Sequence, residues 1–299
     1  MYTICNYLYK TFLNLFMDFQ EVYRYAKIAK LAYLVNNQND ELQNALEELS
    51  QLGCQLVEGS IRSEQTWYAI DCFQAVCVEY EGKLVVSYRG TNSKRVEDLG
   101  VDGAIINLGA TASSGASLRE YRKGSILSYL SGGFAGPLLV GISGRIDLAM
   151  EYFSRFKNSS NKEIIVVGHS LGGFLASYVA CQQNTTAYTF DSAPCAKYAI
   201  FDDADHYARE HNADPDRFNR IYNFRIENDP ISGPVFMIPS DSPFPLGHMG
   251  RIINMKPIRP CNALSLECHN LQLLIDTINP NHTDMEDGSS PAPSTDFYW

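Results

Sequence analysis

Hydrophobic positions repeat with a helical period in the first part of the chain. Between residues 18 and 35, apolar side chains recur every three or four positions, which is the spacing of one helix face. A second helix is predicted from Asp40 to Gly53, where the glycine ends it. Residues 1–19 show the same spacing, and we interpret them as an amphipathic helix that packs on the core or lies at a membrane interface.

Strand-like segments follow, and they alternate with helices over the middle of the chain. Two segments rich in β-branched and aromatic residues, 66–80 and 83–90, are separated by a Glu-Gly turn and predict a β-hairpin. Further strands are predicted at 163–167, 186–190 and 220–226. The accompanying helices are predicted at 145–156 and 171–183. This alternation predicts an α/β fold with a mostly parallel central sheet flanked by helices.

Composition changes mark the loops and the chain end. The segments 100–117 and 131–144 are rich in glycine, and long loops of this kind often form lids or binding loops. A final helix is predicted over 264–278. Residues 279–299 are acidic and rich in Pro and Ser, which predicts a disordered tail. We therefore divide the chain into a helix at 1–19, one domain at 20–278 and this tail.

The charge excludes one class of partner. Of the 299 residues 45% are hydrophobic, and the net charge is −10 at pH 7. An acidic surface repels phosphate backbones and the sequence has no basic stripe, so we expect no nucleic-acid partner. The tail carries four acidic residues and no Lys or Arg, so the domain itself is less acidic. Its contact with a lipid surface is therefore compatible with the charge.

The cysteine pattern and the N-terminus give further expectations. The eight cysteines form no CxxC pair and no cluster with histidines, so we expect buried thiols and no metal site. Cys261 and Cys268 are the pair to test for a disulfide. The N-terminus lacks a basic start, an unbroken apolar stretch and a cleavage site, and the chain has no apolar run that could span a bilayer. We expect a cytoplasmic protein or export without a cleavable signal.

Residues 168–172 carry the strongest chemical signal. Their sequence, Gly-His-Ser-Leu-Gly, is a G-x-S-x-G motif between the predicted strand 163–167 and the predicted helix 171–183. A sharp strand-to-helix turn presents a serine hydroxyl at the end of the strand, and the helix N-terminus offers N–H groups to a developing oxyanion. Ser170 is therefore the predicted nucleophile, whereas His169 is expected to point elsewhere.

A nucleophilic serine needs an acid and a histidine, which in this arrangement follow it in the order acid, histidine. Asp229 follows the predicted strand 220–226 and is the favoured acid, and Asp191 is the competitor. The histidines after Ser170 are His206, His211, His248, His269 and His282. The first two precede the favoured acid and the last lies in the predicted tail. His248 and His269 thus remain as candidate bases.

Four segments in matching order connect the chain to a known family. They are KIAKLAYL at 27–34, LVVSYRGTN at 84–92, IIVVGHSLGGFLAS at 164–177 and FRIENDPIS at 224–232. In these segments the chain resembles the class 3, or fungal-type, lipases of the α/β-hydrolase superfamily. The resemblance spans 20–278 and implies a lipase class 3-like α/β-hydrolase domain that needs no cofactor.

The resemblance implies a role for each candidate site residue. Ser170 is the nucleophile, Asp229 is the acid, and His269, which leads the final helix, is the base. The backbone N–H groups of Thr91 and Leu171 form the oxyanion hole. His248 matches a His-x-Gly feature that is usually structural, and it is kept as the alternative base.

These roles lead to an expected activity. A Ser-Asp-His triad that works through an acyl-enzyme hydrolyses carboxylic esters. By the resemblance the substrates are lipid esters, cleaved by an acylglycerol lipase or a phospholipase of the A1 type at a membrane or lipid surface. The alternatives are a small-ester esterase, a thioesterase or an acyltransferase with the same triad, and a non-catalytic lipid-binding protein of the same fold.

Overall fold

The computed structural model describes residues 18–35, 40–65, 72–91, 135–196, 216–233, 246–262, 266–281 and 295–297. The predicted N-terminal helix lies outside the described residues up to position 17. The predicted glycine-rich loop 100–117 and the histidines His206, His211 and His282 also lie outside them. No helix among the described residues has the length and apolar character needed to cross a membrane.

The described residues form helices, strands and one 3₁₀ turn. The α-helices are α1 (Phe19–Leu34), α2 (Asp40–Gln51), α3 (Ala135–Ser159), α4 (Leu171–Gln183) and α5 (Leu271–Ile278). The strands are β1 (Cys54–Leu56), β2 (Arg62–Gln65), β3 (Cys72–Tyr80), β4 (Lys83–Tyr88), β5 (Ile164–His169), β6 (Thr186–Phe190), β7 (Cys195–Ala196), β8 (Ile221–Ile226), β9 (Leu246–Gly247), β10 (Arg251–Met255) and β11 (Thr295–Phe297). The 3₁₀ turn, Arg217–Arg220, leads into β8.

One large sheet organises these elements. Its strand order is β1-β3-β4-β5-β6-β8-β10-β11, and β2 also pairs with β3. The pairs from β4 through β5, β6 and β8 to β10 are parallel, and the pairs at both ends of the sheet are antiparallel. The predicted α/β fold with a mostly parallel sheet is confirmed, and the carboxyl end of β5 lies near the middle of the sheet.

Helices cover both faces of this sheet. Side chains alternate along β5, so that Ile164 and Val166 join one buried cluster and Ile165 and Val167 join the other. The first cluster includes residues of α3 and α4, and the second includes residues of α1 and α5. Burial on both faces explains why β5 is continuously apolar in sequence.

The start of α3 corrects a prediction. The segment 131–144 was expected to be a glycine-rich loop, but α3 begins at Ala135 and continues to Ser159. Pro137 falls in the first helical turn, where backbone N–H groups have no partner within the helix, so the proline breaks no hydrogen bond there. Glycine content therefore misplaced the boundary of this helix.

The last part of the chain also differs from the prediction. The final helix begins at Leu271 and not at residue 264, because Asn270 caps it by accepting a hydrogen bond from the Gln272 N–H at 2.8 Å. Within the tail predicted to be disordered, β11 pairs antiparallel with β10, so that prediction is wrong for residues 295–297. This pairing occupies backbone groups that β10 would otherwise expose at the sheet edge.

Candidate active site

Ser170 lies at the turn between β5 and α4 with a strained backbone. Its φ of 57° and ψ of −127° lie in a region that non-glycine residues rarely adopt. The Ser170 N–H donates to the Phe190 carbonyl at 3.1 Å, and the Ser170 carbonyl accepts from the Ala193 N–H at 3.0 Å. Hydrogen bonds to the chain at the end of β6 therefore hold the turn in this conformation.

The motif glycines allow the backbones around Ser170 to approach closely. A Cβ atom on Gly168 would lie 2.2 Å from the Gly172 carbonyl oxygen. A Cβ atom on Gly172 would lie 2.1 Å from the Tyr88 carbonyl oxygen at the end of β4. Both distances are far below van der Waals contact, so the turn requires glycine at these positions.

The two candidate oxyanion residues lie on segments next to Ser170. A Cβ atom on Gly90 would lie 3.0 Å from the Ser170 Cβ, so the chain that leads to Thr91 passes beside the serine. Leu171 is the first residue of α4, where a backbone N–H has no acceptor within the helix. The structure thus brings both segments to the predicted nucleophile.

Asp229 follows β8 and is 1% exposed. Its carboxylate accepts hydrogen bonds from the Ile231 N–H at 3.1 Å, from the Ser232 N–H at 2.9 Å and from the Ser232 hydroxyl. Burial acts to raise the pKa of Asp229, but the charge and hydrogen bond of His269 and the bonds from Ser232 outweigh burial and lower it. Asp229 is therefore an ionised buried carboxylate at neutral pH.

The structure brings His269 to this carboxylate. The His269 Nδ1 atom lies 3.0 Å from Asp229 Oδ1 and 3.1 Å from Oδ2, and the imidazole side chain is 9% exposed. A disulfide between Cys261 and Cys268 ends one residue before it, and Asn270 directly after it caps α5. With Nδ1 donating to Asp229, the Nε2 atom is available to accept a proton.

His248, the alternative base, contacts the loop that carries Asp229. It is 2% exposed, and its Nε2 atom lies 3.0 Å from the Ser232 carbonyl oxygen, to which it donates. Burial lowers the pKa of His248 to about 4, so the ring is neutral at pH 7. Its contact is thus with the backbone that carries Asp229, and His269 is the histidine that contacts the carboxylate itself.

Asp191, the competing acid, is a second buried carboxyl at the end of β6. Its Oδ1 atom accepts from the Ile226 N–H at 2.7 Å and lies 3.4 Å from the Ser232 hydroxyl, which also contacts Asp229. Burial and the nearby charge of Asp229 raise the pKa of Asp191 well above its usual value. Burial and the nearby carboxylate therefore favour the neutral form of Asp191, whereas the contacts of Asp229 favour its ionised form.

Sequence reasoning missed the role of two neighbours of the site. The Tyr33 hydroxyl lies 2.8 Å from His169 Nδ1, and it accepts a hydrogen bond from the Gly90 N–H at 3.2 Å. The available signal was the KIAKLAYL segment, which contains Tyr33. Among the described residues, no group of three or more His, Cys, Asp or Glu is arranged to hold a metal ion.

Replacement of His248 by glutamine is expected to make the protein less sensitive to acid. Since the pKa of His248 is lowered from 6.5 to about 4, only the unfolded chain binds a proton at this residue between these pH values. The stability of the wild type therefore decreases as the pH is lowered through this window, by about 1.4 kcal/mol per pH unit relative to His248→Gln. Urea unfolding of both proteins at neutral pH and at about pH 5 measures the difference, and a pH-independent difference would contradict a neutral buried His248.

The motif region matches a known protein family. Residues 143–233, about a third of the chain, match the model of a Tle-like phospholipase domain. This range contains Ser170 and Asp229 and ends before His269. Over this range the chain is similar to a phospholipase-like domain, which supports a likeness to the lipases of the α/β-hydrolase fold. The likeness to a phospholipase domain supports carboxylic ester hydrolysis.

Several solved structures are similar to this chain at low sequence identity. A mutant form of MDLA from Penicillium cyclopium is 14% identical over 82% of this chain and 81% of that chain, with a TM-score of 0.48. Nonglycosylated LIP2 lipase from Yarrowia lipolytica is 13% identical over 79% of this chain and 78% of that chain, also with a TM-score of 0.48. A lipase from Rhizopus microsporus is 16% identical over 87% of this chain and 85% of that chain, with a TM-score of 0.41. No curated protein sequence matches the chain significantly.

Proposed function

We propose that the chain is a serine hydrolase that cleaves carboxylic ester bonds of phospholipids through an acyl-enzyme on Ser170. The observation that carries this proposal is the buried Asp229–His269 pair, with Nδ1 at 3.0 Å from the carboxylate, beside a strained serine turn of the lipase type. Three groups with these chemical roles are what acyl transfer by a serine requires.

The proposed reaction has two halves. In the first, His269 Nε2 takes the Ser170 proton while Oγ attacks the ester carbonyl, and Asp229 stabilises the imidazolium that forms. The backbone N–H groups of Thr91 and Leu171 hold the oxyanion. The alcohol leaves with the proton of His269, and in the second half water releases the acid by the same steps. No metal or organic cofactor has a part in this scheme.

Phospholipid is the favoured substrate because the matched family model describes a phospholipase domain. An A1-type enzyme releases the sn-1 acid and a lysophospholipid, whereas an acylglycerol lipase prefers neutral lipid of the same acyl composition. Enzymes with the same triad also hydrolyse small esters and thioesters or transfer acyl groups. Activity on lipid therefore has to be compared with these other activities. A lipid surface is a partner in this proposal.

Labelling with a fluorophosphonate tests whether Ser170 is a nucleophile. Wild-type protein is expected to be labelled at Ser170 and Ser170→Ala to be unlabelled, because only an activated serine reacts with this probe. Ser177→Ala is the matched control, since Ser177 is a buried serine in α4, the helix that begins directly after Ser170. Labelling that persists in Ser170→Ala, or a wild-type protein that binds vesicles but is never labelled, contradicts the proposal.

A product assay tests the substrate class. Phosphatidylcholine vesicles, a triacylglycerol emulsion of the same acyl chains, a soluble butyrate ester and an acyl thioester are supplied to wild type and Ser170→Ala. We expect lysophospholipid and free acid from the vesicles at the highest rate. Faster release from the emulsion, the soluble ester or the thioester would assign the site to the corresponding alternative.

A further inference from the structure

Two side chains that the proposed reaction does not use connect its separate parts. Tyr33 lies in the last turn of α1, and its hydroxyl contacts His169 Nδ1 at 2.8 Å and the Gly90 N–H at 3.2 Å. On the opposite side of the ring, His169 Nε2 lies 3.1 Å from the carbonyl oxygen of His269. The contacts therefore run from the loop that leads to Thr91, through Tyr33 and His169, to the backbone of the proposed base.

One arrangement of protons satisfies these contacts. The His269 carbonyl can only accept, so His169 Nε2 carries the hydrogen. Burial and the neighbouring His269 lower the pKa of His169 to about 3, so the ring is neutral and Nδ1 has a lone pair. The Tyr33 hydroxyl donates to this Nδ1, which is closer than the His169 carbonyl oxygen at 3.4 Å. The Tyr33 oxygen then accepts from the Gly90 N–H.

Ring packing holds the same residues in place. The His169 and His269 rings have centroids 4.7 Å apart and are inclined by 34°. The Tyr33 ring meets the His169 ring edge-on at 5.8 Å, and the Arg89 guanidinium lies 5.5 Å from the centre of the Tyr33 ring. His169 is therefore packed between Tyr33 and His269, and it is bonded directly to Ser170.

We propose that Tyr33 and His169 are positioning residues, which fix the oxyanion loop and the base relative to Ser170 through one directed chain of hydrogen bonds. This inference rests on the proposed function. Neither side chain touches the reacting atoms in the scheme above. The two ends of this series of hydrogen bonds are Gly90 and His269. In the proposed reaction, the segment of Gly90 stabilises the oxyanion and His269 moves the proton.

Loss of this series of hydrogen bonds is expected to slow the chemical step and to leave substrate binding intact. Without the Tyr33 hydroxyl, the Gly90 N–H and His169 Nδ1 each lose a hydrogen-bond partner. A displacement of about 1 Å in an oxyanion donor or a base lowers turnover by about 10²-fold. Because these groups act in the transition state, the loss falls on kcat, while KM for a soluble ester stays within about twofold.

Tyr33→Phe tests the first link, with Tyr25→Phe as the matched control. Tyr25 is a fully buried residue of the same helix, and its hydroxyl donates to Glu21 at 2.5 Å. We expect Tyr33→Phe to lower kcat on a soluble ester, and the rate of fluorophosphonate labelling, by about 10–100-fold. Tyr25→Phe should keep wild-type values of both. Thermal midpoints of both variants show whether the kcat loss follows stability.

His169→Gln and His169→Leu test the second link and decide the question if Tyr33→Phe does not fold. Glutamine can still donate an amide N–H to the His269 carbonyl, whereas leucine cannot. We expect glutamine to retain at least about tenfold more kcat than leucine at similar thermal midpoints.

The outcomes separate this inference from the proposed function. An unlabelled wild-type Ser170 overturns the proposed function. A labelled wild type with Tyr33→Phe reacting like Tyr25→Phe, a loss confined to KM, or equal kcat for the two His169 variants overturns the positioning role alone.

Discussion

Asp229→Asn is expected to lower kcat by about 10⁴-fold and to leave the fold intact. The asparagine amide can donate to His269 Nδ1, which places the imidazole proton on Nε2 and blocks the atom that must accept the Ser170 proton. The side chains have nearly the same shape, and the amide oxygen keeps one of the two backbone N–H donors, Ile231 at Oδ1 or Ser232 at Oδ2. Steady-state kinetics on a soluble ester, with circular dichroism as the check on folding, measure the effect.

Asp191→Asn is the matched control for this prediction. The substitution is the same, the residue is fully buried, and the carboxyl lies near the same Ser232 hydroxyl. Because the raised pKa favours the neutral form of Asp191, a neutral asparagine should change kcat by less than about tenfold. A dead Asp191→Asn beside an active Asp229→Asn would make Asp191 the acid and overturn the assignment.

Gly172→Ala is expected to destabilise the protein by more than about 3 kcal/mol, or to prevent folding. The added Cβ would lie 2.1 Å from the Tyr88 carbonyl oxygen and 2.7 Å from the Arg89 carbonyl carbon. Both are backbone atoms, at and just after the end of β4, so no side-chain rotation can relieve the contact. The urea midpoint and the soluble yield measure the loss.

Gly144→Ala provides the opposite case in another helix. A Cβ atom at Gly144 in α3 would meet nothing within 4 Å. Alanine favours the helical backbone over glycine by roughly 0.5–1 kcal/mol, so this variant should be as stable as wild type or slightly more stable. If Gly172→Ala unfolds at the same urea concentration as Gly144→Ala, β4 is not in contact with the serine turn as described.

Local sequence signals predicted the centre of the fold well. The apolar strand before Ser170 and the helix after it follow from a short pattern, because burial on both faces of a parallel strand demands continuous apolar residues. The same signals failed at boundaries such as Ala135. A proline in the first helical turn looks like a loop residue in sequence, although it costs no hydrogen bond in the structure.

The contacts around the acid could not be predicted in this way. Asp191 and Asp229 are distant in sequence, and only the pairing of β6 with β8 brings the residues that follow these strands together. His248 and His269 were both open candidates because their partners depend on how the chain after β8 folds back. The roles of these carboxyl and histidine side chains depend on their burial and on charged partners distant in sequence. No local sequence pattern reveals either.

The site also links activity to the completion of folding. Its members come from loops after the central strands β4, β5 and β8, from α1 and from the residues just before α5: Tyr33, Gly90, Ser170, Asp229 and His269. Contacts between residues so far apart in sequence form late, because long loops must close first. On the ribosome, the arrangement cannot assemble until the chain beyond residue 269 has emerged. In the proposed mechanism, turnover therefore reports the folding of the chain from Tyr33 through His269.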